Sequence, residues 1–88
     1  MKTLQELAKD ALDLQDASNL SGVVHAFHRA ISDLWENARA LNQGTDWVNR
    51  HPICRAYISK LASLSRYVPE DATFEETQAI ASGLSDKR

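Results

Sequence analysis

The sequence predicts an all-α fold, a small antiparallel helical bundle of three main helices plus a short fourth. Three observations lead to this prediction. Long segments repeat apolar residues at the spacing of an amphipathic helix, and no long segment alternates apolar with polar residues as a strand does. The few glycine and proline residues fall mostly between the periodic segments. A length of 88 residues suits one domain, and we expect residues 1–88 to form a single helical domain.

The first helix is predicted over residues 4–17. Thr3 and Glu6 have the spacing of a capping box, in which each side chain accepts a hydrogen bond from the other residue's backbone amide. Leucine and alanine then recur along one side of the helix, and charged residues occupy the other side. This element therefore has one face for a core and one for water.

The second helix, over residues 20–42, has the clearest amphipathic pattern in the chain. Asn19 or Ser21 is its expected N-cap, because both side chains accept from the free amides of a first turn. Gly44 follows the helix, where a left-handed C-terminal cap favours glycine. The apolar residues that share one arc of this helix are Val23, Val24, Phe27, Ala30, Ile31, Leu34, Trp35, Ala38 and Leu41.

The third helix is predicted over residues 46–67, with a break near residues 49–52. Pro52 disfavours a helical conformation at the residue before it, His51, whereas proline is well tolerated in the first turn of the helix that follows. The apolar arc of this helix is wide and consists of Ile53, Cys54, Tyr57, Ile58, Leu61, Leu64 and Val68.

The fourth helix is predicted over residues 74–83 and begins at a second capping box, Thr73 with Glu76. Its apolar edge is thin. The connections between the predicted helices are short, and short connections place consecutive helices antiparallel. We expect the second and third helices to form the central hairpin of the bundle.

Composition and charge exclude several classes of protein. A net charge of -2 provides no general attraction to nucleic acid or to a membrane surface. The single cysteine has no partner for an internal disulfide, so an oxidising compartment is not indicated. The N-terminus lacks a signal-peptide pattern, and no run approaches the roughly 18 apolar residues of a membrane span. We therefore expect a cytoplasmic protein with no membrane partner.

Candidate catalytic residues are few. His25 and His28 lie three residues apart and are able to reach one metal ion, with His51 as a third ligand, but no zinc-binding motif accompanies them. Cys54 lies near a helix start, a position that activates a thiol, but also on an apolar arc, where cysteine packs as a small hydrophobic residue. We expect no enzyme activity, no metal and no cofactor. A metal- or thiol-dependent enzyme is the least favoured alternative.

Nucleic acid is the main alternative partner. Residues 45–67 hold four basic residues and one acidic residue, a local net charge of +3. A helix, a turn with glycine and a basic helix together outline a helix-turn-helix. Two features weaken this hypothesis: only Arg55 and Arg66 share a face of the basic helix, and the connection over residues 44–52 is longer than the usual tight turn. A helix-turn-helix-like DNA-binding regulator stays the alternative.

A protein–protein interaction is the function that we predict. Residues 44–55 concentrate tryptophan, arginine, histidine and asparagine in one connection. Tryptophan and arginine dominate binding hot spots, and connections held by a rigid scaffold commonly carry function. We expect a small non-enzymatic adaptor, inhibitor or regulator that binds a protein partner. Its predicted partner-binding residues are Trp47, Asn49, Arg50, His51, Arg55 and Arg66.

Two of these residues also have a purely structural interpretation, which stays open. Trp47 is able to plug the end of the bundle, and Asn49 is able to cap the main part of the third helix. Neither role requires a partner protein. The sequence alone therefore supports two interpretations of the same connection, a binding surface and a structural plug.

A homodimer is predicted from the width of the apolar arcs. The second and third helices have wide arcs, whereas the first helix is short and the fourth has a thin apolar edge. Apolar surface that these two helices leave uncovered marks an interface on a small domain. The simplest partner for such an interface is a second copy of the same chain.

Overall fold

Five α-helices follow one another in the computed structural model, which describes residues 3–14 and 19–86. Within those ranges there is no strand, so the predicted all-α class is confirmed. The Cα radius of gyration is 12.2 Å, and a compact domain of this length has about 12 Å. The helices are α1 over Leu4–Asp13, α2 over Leu20–Ala40, α3 over Thr45–Arg50, α4 over Pro52–Leu64 and α5 over Phe74–Asp86.

The break predicted before Pro52 divides the third helix into α3 and α4. His51 has an extended conformation, with φ -66° and ψ 133°, as expected for a residue before proline. The helix ends at Leu64, three residues earlier than predicted. The physical reason is Ser65, which is extended and whose hydroxyl accepts from the amide of Tyr67 at 3.3 Å. Serine offers the backbone such a bond in place of a helical one.

Three other helix ends also differ from the prediction, and one of them is the end of α2, at Ala40 instead of residue 42. Residues 15–17 of the predicted first helix lie outside the described residues, and α1 as described ends at Asp13. The last helix continues past Gly83, its predicted end, to Asp86. Gly83 does not adopt a positive φ, so it continues the helix instead of turning the chain out of it.

The left-handed residue after α2 is Asn42 and not Gly44. Asn42 has φ 60°, and asparagine visits this region more readily than other residues with a side chain. Its amide donates to Arg39 O at 3.1 Å, and the amide of Gln43 donates to Ala38 O at 2.7 Å. These two bonds form a Schellman motif. Gly44 is extended and lies at the N-cap of α3.

The core lies around α2, which packs most extensively against α4 and then against α5. The smaller helices α1 and α3 each contact both α2 and α4. On α2 the predicted apolar arc is buried, except for the half-buried Trp35 and the exposed Leu41. The buried apolar residues contributed by α4 are Ile53, Cys54, Tyr57, Ile58 and Leu61. Both wide arcs are therefore covered within one chain.

Candidate functional site

The six predicted partner-binding residues separate into three groups in the structure. Asn49, Arg50 and Arg55 line one cleft. The rings of Trp47 and His51 contact each other, with centroids 4.8 Å apart. Arg66 is exposed, and its guanidinium carbon lies 5.5 Å from the centre of the Tyr67 ring. Three of the six predicted residues therefore line one cleft.

His51 holds the junction between α3 and α4. Its Nδ1 accepts from the amide of Ile53 at 3.2 Å, so the imidazole caps the first turn of α4. The side chain is half-buried, and this burial lowers the pKa of His51 from its usual value. A capping Nδ1 and a ring packed on Trp47 give the residue a structural role at this junction.

Asn49 caps a helix, but not the one that the sequence suggested. Its Oδ1 accepts from the amide of Phe74 at 2.8 Å, which closes the N-terminus of α5. Thr73 and Glu76 complete this end as the predicted capping box, with Glu76 N to Thr73 Oγ1 at 3.1 Å and Thr73 N to Glu76 Oε1 at 3.3 Å. Asn49 therefore joins α3 to α5 across 25 residues of sequence.

Arg55 joins α4 to the connection before α5. Its Nη2 donates to Ala72 O at 2.7 Å. The Nε–H group of the same guanidinium is buried, and it meets no acceptor among the residues that the structure describes. One turn further along α4, Ser59 Oγ bonds to Glu70 Oε1 at 3.3 Å. The connection over residues 65–73 is thus tied to α4 at two points.

The cleft beside Arg55 has a volume of about 470 Å³. It is a shallow hollow, open to solvent, that residues of α3, α4 and the end of the 65–73 connection border, and we call it the Arg55 cleft. Two cationic and two anionic side chains line it, yet no ion pair joins these four in the described structure. Its lining residues are Asp46, Asn49, Arg50, Arg55, Asp71, Ala72 and Thr73.

Sequence reasoning found the α3 and α4 side of this cleft and missed the other side. Asp71, Ala72 and Thr73 come from a connection about twenty residues away in sequence, and no local pattern linked them to α3. The one available signal was the capping box at Thr73, which marked the start of a helix but not its neighbour.

A second hollow of about 350 Å³ lies between α1 and α4. Small side chains make most of its lining, and Lys60 is its one charged residue among those described. Its lining residues are Ala11, Leu14, Ala56, Ser59, Lys60 and Ser63.

The candidate catalytic residues do not come together. Cys54 is fully buried, and burial raises the pKa of its thiol, although Arg55 acts in the opposite direction. Its position near the start of α4 therefore does not make it a thiolate. Among the described residues, no three histidine, cysteine, aspartate or glutamate side chains are grouped closely enough to bind a metal ion.

The comparisons with known proteins assign no family. Within the described part of the chain, no helix has both the length and the apolar character needed to cross a membrane. No protein family matches the chain, and no curated protein or solved structure is significantly similar to it.

Proposed function

We propose that this protein is a small non-enzymatic interaction protein, an adaptor, inhibitor or regulator, that binds a segment of a partner protein in the Arg55 cleft. One observation supports this proposal above the others. Arg50, Arg55, Asp46 and Asp71 line the same cleft, and among the described residues no ion pair joins their charged groups. Charged groups that the fold brings together without ion pairs between them are available to an incoming polar segment.

The volume of the cleft and the helices around it suit a short segment of a partner protein. Its volume of about 470 Å³ lies in the range of roughly 300–1,000 Å³ that is common for ligand sites. Helices α3 and α4 and the capped start of α5 position its lining. A frame of this kind loses little conformational freedom on binding, which favours affinity.

DNA binding is the alternative function, and the charges of the cleft weaken it. Asp46 and Asp71 lie beside the two arginines, and Arg55 is half-buried and bonded to Ala72 O. Phosphate recognition instead favours basic side chains without acidic neighbours. The proposal therefore commits to a protein partner and treats duplex DNA as an outcome of the test.

The finer architecture and the cellular location also belong to this proposal. We propose that the main helices run antiparallel as a bundle, a topology supported by the short connections and by the packing of α2 on α4 and α5. We propose a cytoplasmic location because the single cysteine is free and buried.

The predicted homodimer has lost the reason on which it was based. The wide apolar arcs of α2 and α4 are covered within one chain, so they require no second copy. The dimer stays a prediction, and light scattering on a sizing column tests it. A mass of 9.8 kDa contradicts the dimer, and twice that mass supports it.

The test of the proposed function is a comparison of two charge reversals. The full chain is used to isolate partners from the cells that make it, and each candidate is then purified and titrated. We expect the Arg50→Glu variant to weaken binding about tenfold or more, since it removes a charge-assisted contact. Arg39→Glu, at an exposed arginine of α2 outside the cleft, is the matched control.

Two results would contradict the proposal. One is a partner that binds the Arg50→Glu variant as tightly as the wild-type chain. The other is tight binding of duplex DNA that weakens steeply between about 50 and 200 mM salt, with no protein partner. The second result would favour the DNA-binding alternative.

A further inference from the structure

We infer that the Arg55 cleft recognises a single carboxylate, which the partner segment places between Arg50 and Arg55. This inference rests on the proposed function and specifies the chemical group that the partner supplies. The carboxylate has two sources, an acidic side chain within the segment or the C-terminus of the partner chain. Both present the same planar acceptor to a guanidinium.

Of the two arginines at this site, Arg55 is the one that the fold holds in place. The bond from Nη2 to Ala72 O, at 2.7 Å, fixes the plane of the guanidinium. Its Nε–H is buried and lacks an acceptor among the described residues, so this one N–H group has already lost water that no protein group replaces. A guanidinium held in this way loses little further rotamer freedom when a carboxylate binds.

Arg50 and Asn49 add donors to the same cleft. Arg50 is exposed and held weakly, since its guanidinium makes one long hydrogen bond among the described residues, from Nε to Asp46 O at 3.4 Å. Asn49 accepts through Oδ1 from Phe74 N, which leaves its amide NH₂ group as a donor. Three donor side chains therefore line one cleft beside the bond that fixes Arg55.

The two aspartates have a different effect from the two arginines. Asp46 and Asp71 are exposed, so water solvates their carboxylates and they need no partner. They make the cleft neutral as a whole, which penalises a ligand with many negative charges. A lone carboxylate in an otherwise neutral or basic segment fits this arrangement, and a nucleic-acid backbone does not.

The test uses nitrogen-15-labelled full-length protein and three short probes. The first is an acetylated, amidated tripeptide with a central glutamate between glycines. The second replaces this glutamate with glutamine, and the third is acetyl-diglycine with a free C-terminal carboxylate. The readout is the Nε–Hε signals of the arginines, assigned with single-arginine variants. We expect saturable shifts at Arg50 and Arg55 with the glutamate or the free-carboxylate probe, and none with glutamine.

Comparing the two carboxylate probes identifies the source of the group. Tighter binding of the glutamate tripeptide points to an acidic side chain, and tighter binding of acetyl-diglycine points to a chain terminus. Both results support a carboxylate site. Equal shifts with the glutamine tripeptide, or no shift with any probe, overturn the inference.

Four variants test the assigned residues, and they are expected to change the affinity for the probe in different directions. Arg50→Gln is expected to weaken binding of the better probe about tenfold, and Arg50→Lys to retain part of it. Asp71→Asn is expected to tighten binding about threefold, because it removes a nearby negative charge. Arg39→Gln is the control and leaves binding unchanged. If the folded Arg50→Gln variant binds the better probe as tightly as the folded Arg39→Gln variant does, the inference is overturned.

Different results would exclude the carboxylate site and the proposed protein partner. If an Arg50-dependent protein partner binds but no carboxylate probe does, the inference is wrong and the proposed function stands. If the probes bind but no protein partner depends on Arg50, the carboxylate site stands and the proposed function is wrong.

Discussion

His51 and Asn49 each close the N-terminus of a helix with one side-chain atom. His51 Nδ1 accepts from Ile53 N within its own turn, at 3.2 Å. Asn49 Oδ1 accepts from Phe74 N across the fold, at 2.8 Å. Both bonds satisfy amides that a helix start leaves without an intrahelical acceptor. At the scale of single residues, part of the predicted binding connection therefore has a structural role.

The cap at His51 makes stability depend on pH. Nδ1 accepts a hydrogen bond only when it is unprotonated, and burial lowers the pKa of His51 below its usual 6.5. Between these two pKa values the unfolded chain binds more protons than the folded chain, so stability rises with pH. The contribution is complete above pH 6.5 and is lost as pH falls toward the lowered pKa of the folded state.

Urea unfolding of the wild-type chain and of His51→Asn, between about pH 7.5 and pH 5.5, measures this contribution. Asparagine at this position retains an acceptor for Ile53 N but does not titrate. We expect the urea midpoint of the wild-type chain to fall more steeply with decreasing pH than that of the variant. Parallel curves for the two proteins would contradict the role of the imidazole.

The thiol of Cys54 is expected to be unreactive in the folded protein. It is fully buried, and burial raises its pKa, so both access and thiolate formation are disfavoured. Labelling with a disulfide reagent should be slow in buffer and fast in urea, because reaction requires the core to open. Fast labelling of the folded chain below neutral pH would instead support a thiol-dependent enzyme.

At the scale of elements, α5 is held to the rest of the fold by two kinds of contact. Phe74 packs edge-on against Trp35 of α2, with ring centroids 5.7 Å apart. Beside this contact, the Asn49 cap and the Arg55 bond to Ala72 O fix the start of the helix. The apolar contact supplies hydrophobic stabilisation, and the polar bonds determine where the helix begins.

Removing the Asn49 cap is expected to destabilise the start of α5. We predict that Asn49→Ala lowers the free energy of unfolding by about 0.5–2 kcal/mol and speeds hydrogen exchange in the first turn of α5. Asn49→Asp keeps an oxygen at the same place and suits the positive end of the helix dipole, so it should retain most of the stability. Equal losses in both variants would exclude the capping role.

Gly83 is a site where alanine should stabilise the protein. The residue continues α5 without a positive φ, and an added Cβ meets no atom within 4 Å. We expect Gly83→Ala to raise the free energy of unfolding by about 0.5–1 kcal/mol, measured in urea. Gly44→Ala is the matched control, since its Cβ also meets no atom within 4 Å but the residue is not helical. A similar gain at both sites would contradict this explanation.

At the scale of the whole molecule, one apolar core joins all five helices. Buried residues from each helix belong to a single cluster centred on α2 and α4. A domain of this size buries a smaller fraction of its surface than a larger one does. Each large buried side chain therefore carries a considerable part of the total stability.

Two leucines, one buried and one exposed, test this core. Leu34 is fully buried in α2, whereas Leu41, just after the same helix, is 54% exposed. We expect Leu34→Ala to cost about 2–5 kcal/mol, a large part of a typical total of about 5–15 kcal/mol. Leu41→Ala should cost less than about 1 kcal/mol. Comparable losses in thermal or urea unfolding would contradict the burial of Leu34.

The sequence by itself determined the helical class and most of the helix starts. The caps at Thr3, Asn19 and Thr73 and the break before Pro52 are present as predicted. These features depend on residues within about one helical turn of each other, so a local pattern is sufficient to predict them. The same holds for the amphipathic arc of α2.

Only the tertiary structure decided how the elements combine. It covered the apolar arcs within one chain, gave the Asn49 cap to α5, and placed Asp71 beside Arg50 and Arg55 in one cleft. Such pairings join residues that are distant in sequence, and the packing of whole helices determines them. Periodicity indicates which face of a helix is buried but not which neighbour buries it, because hydrophobic burial is non-directional.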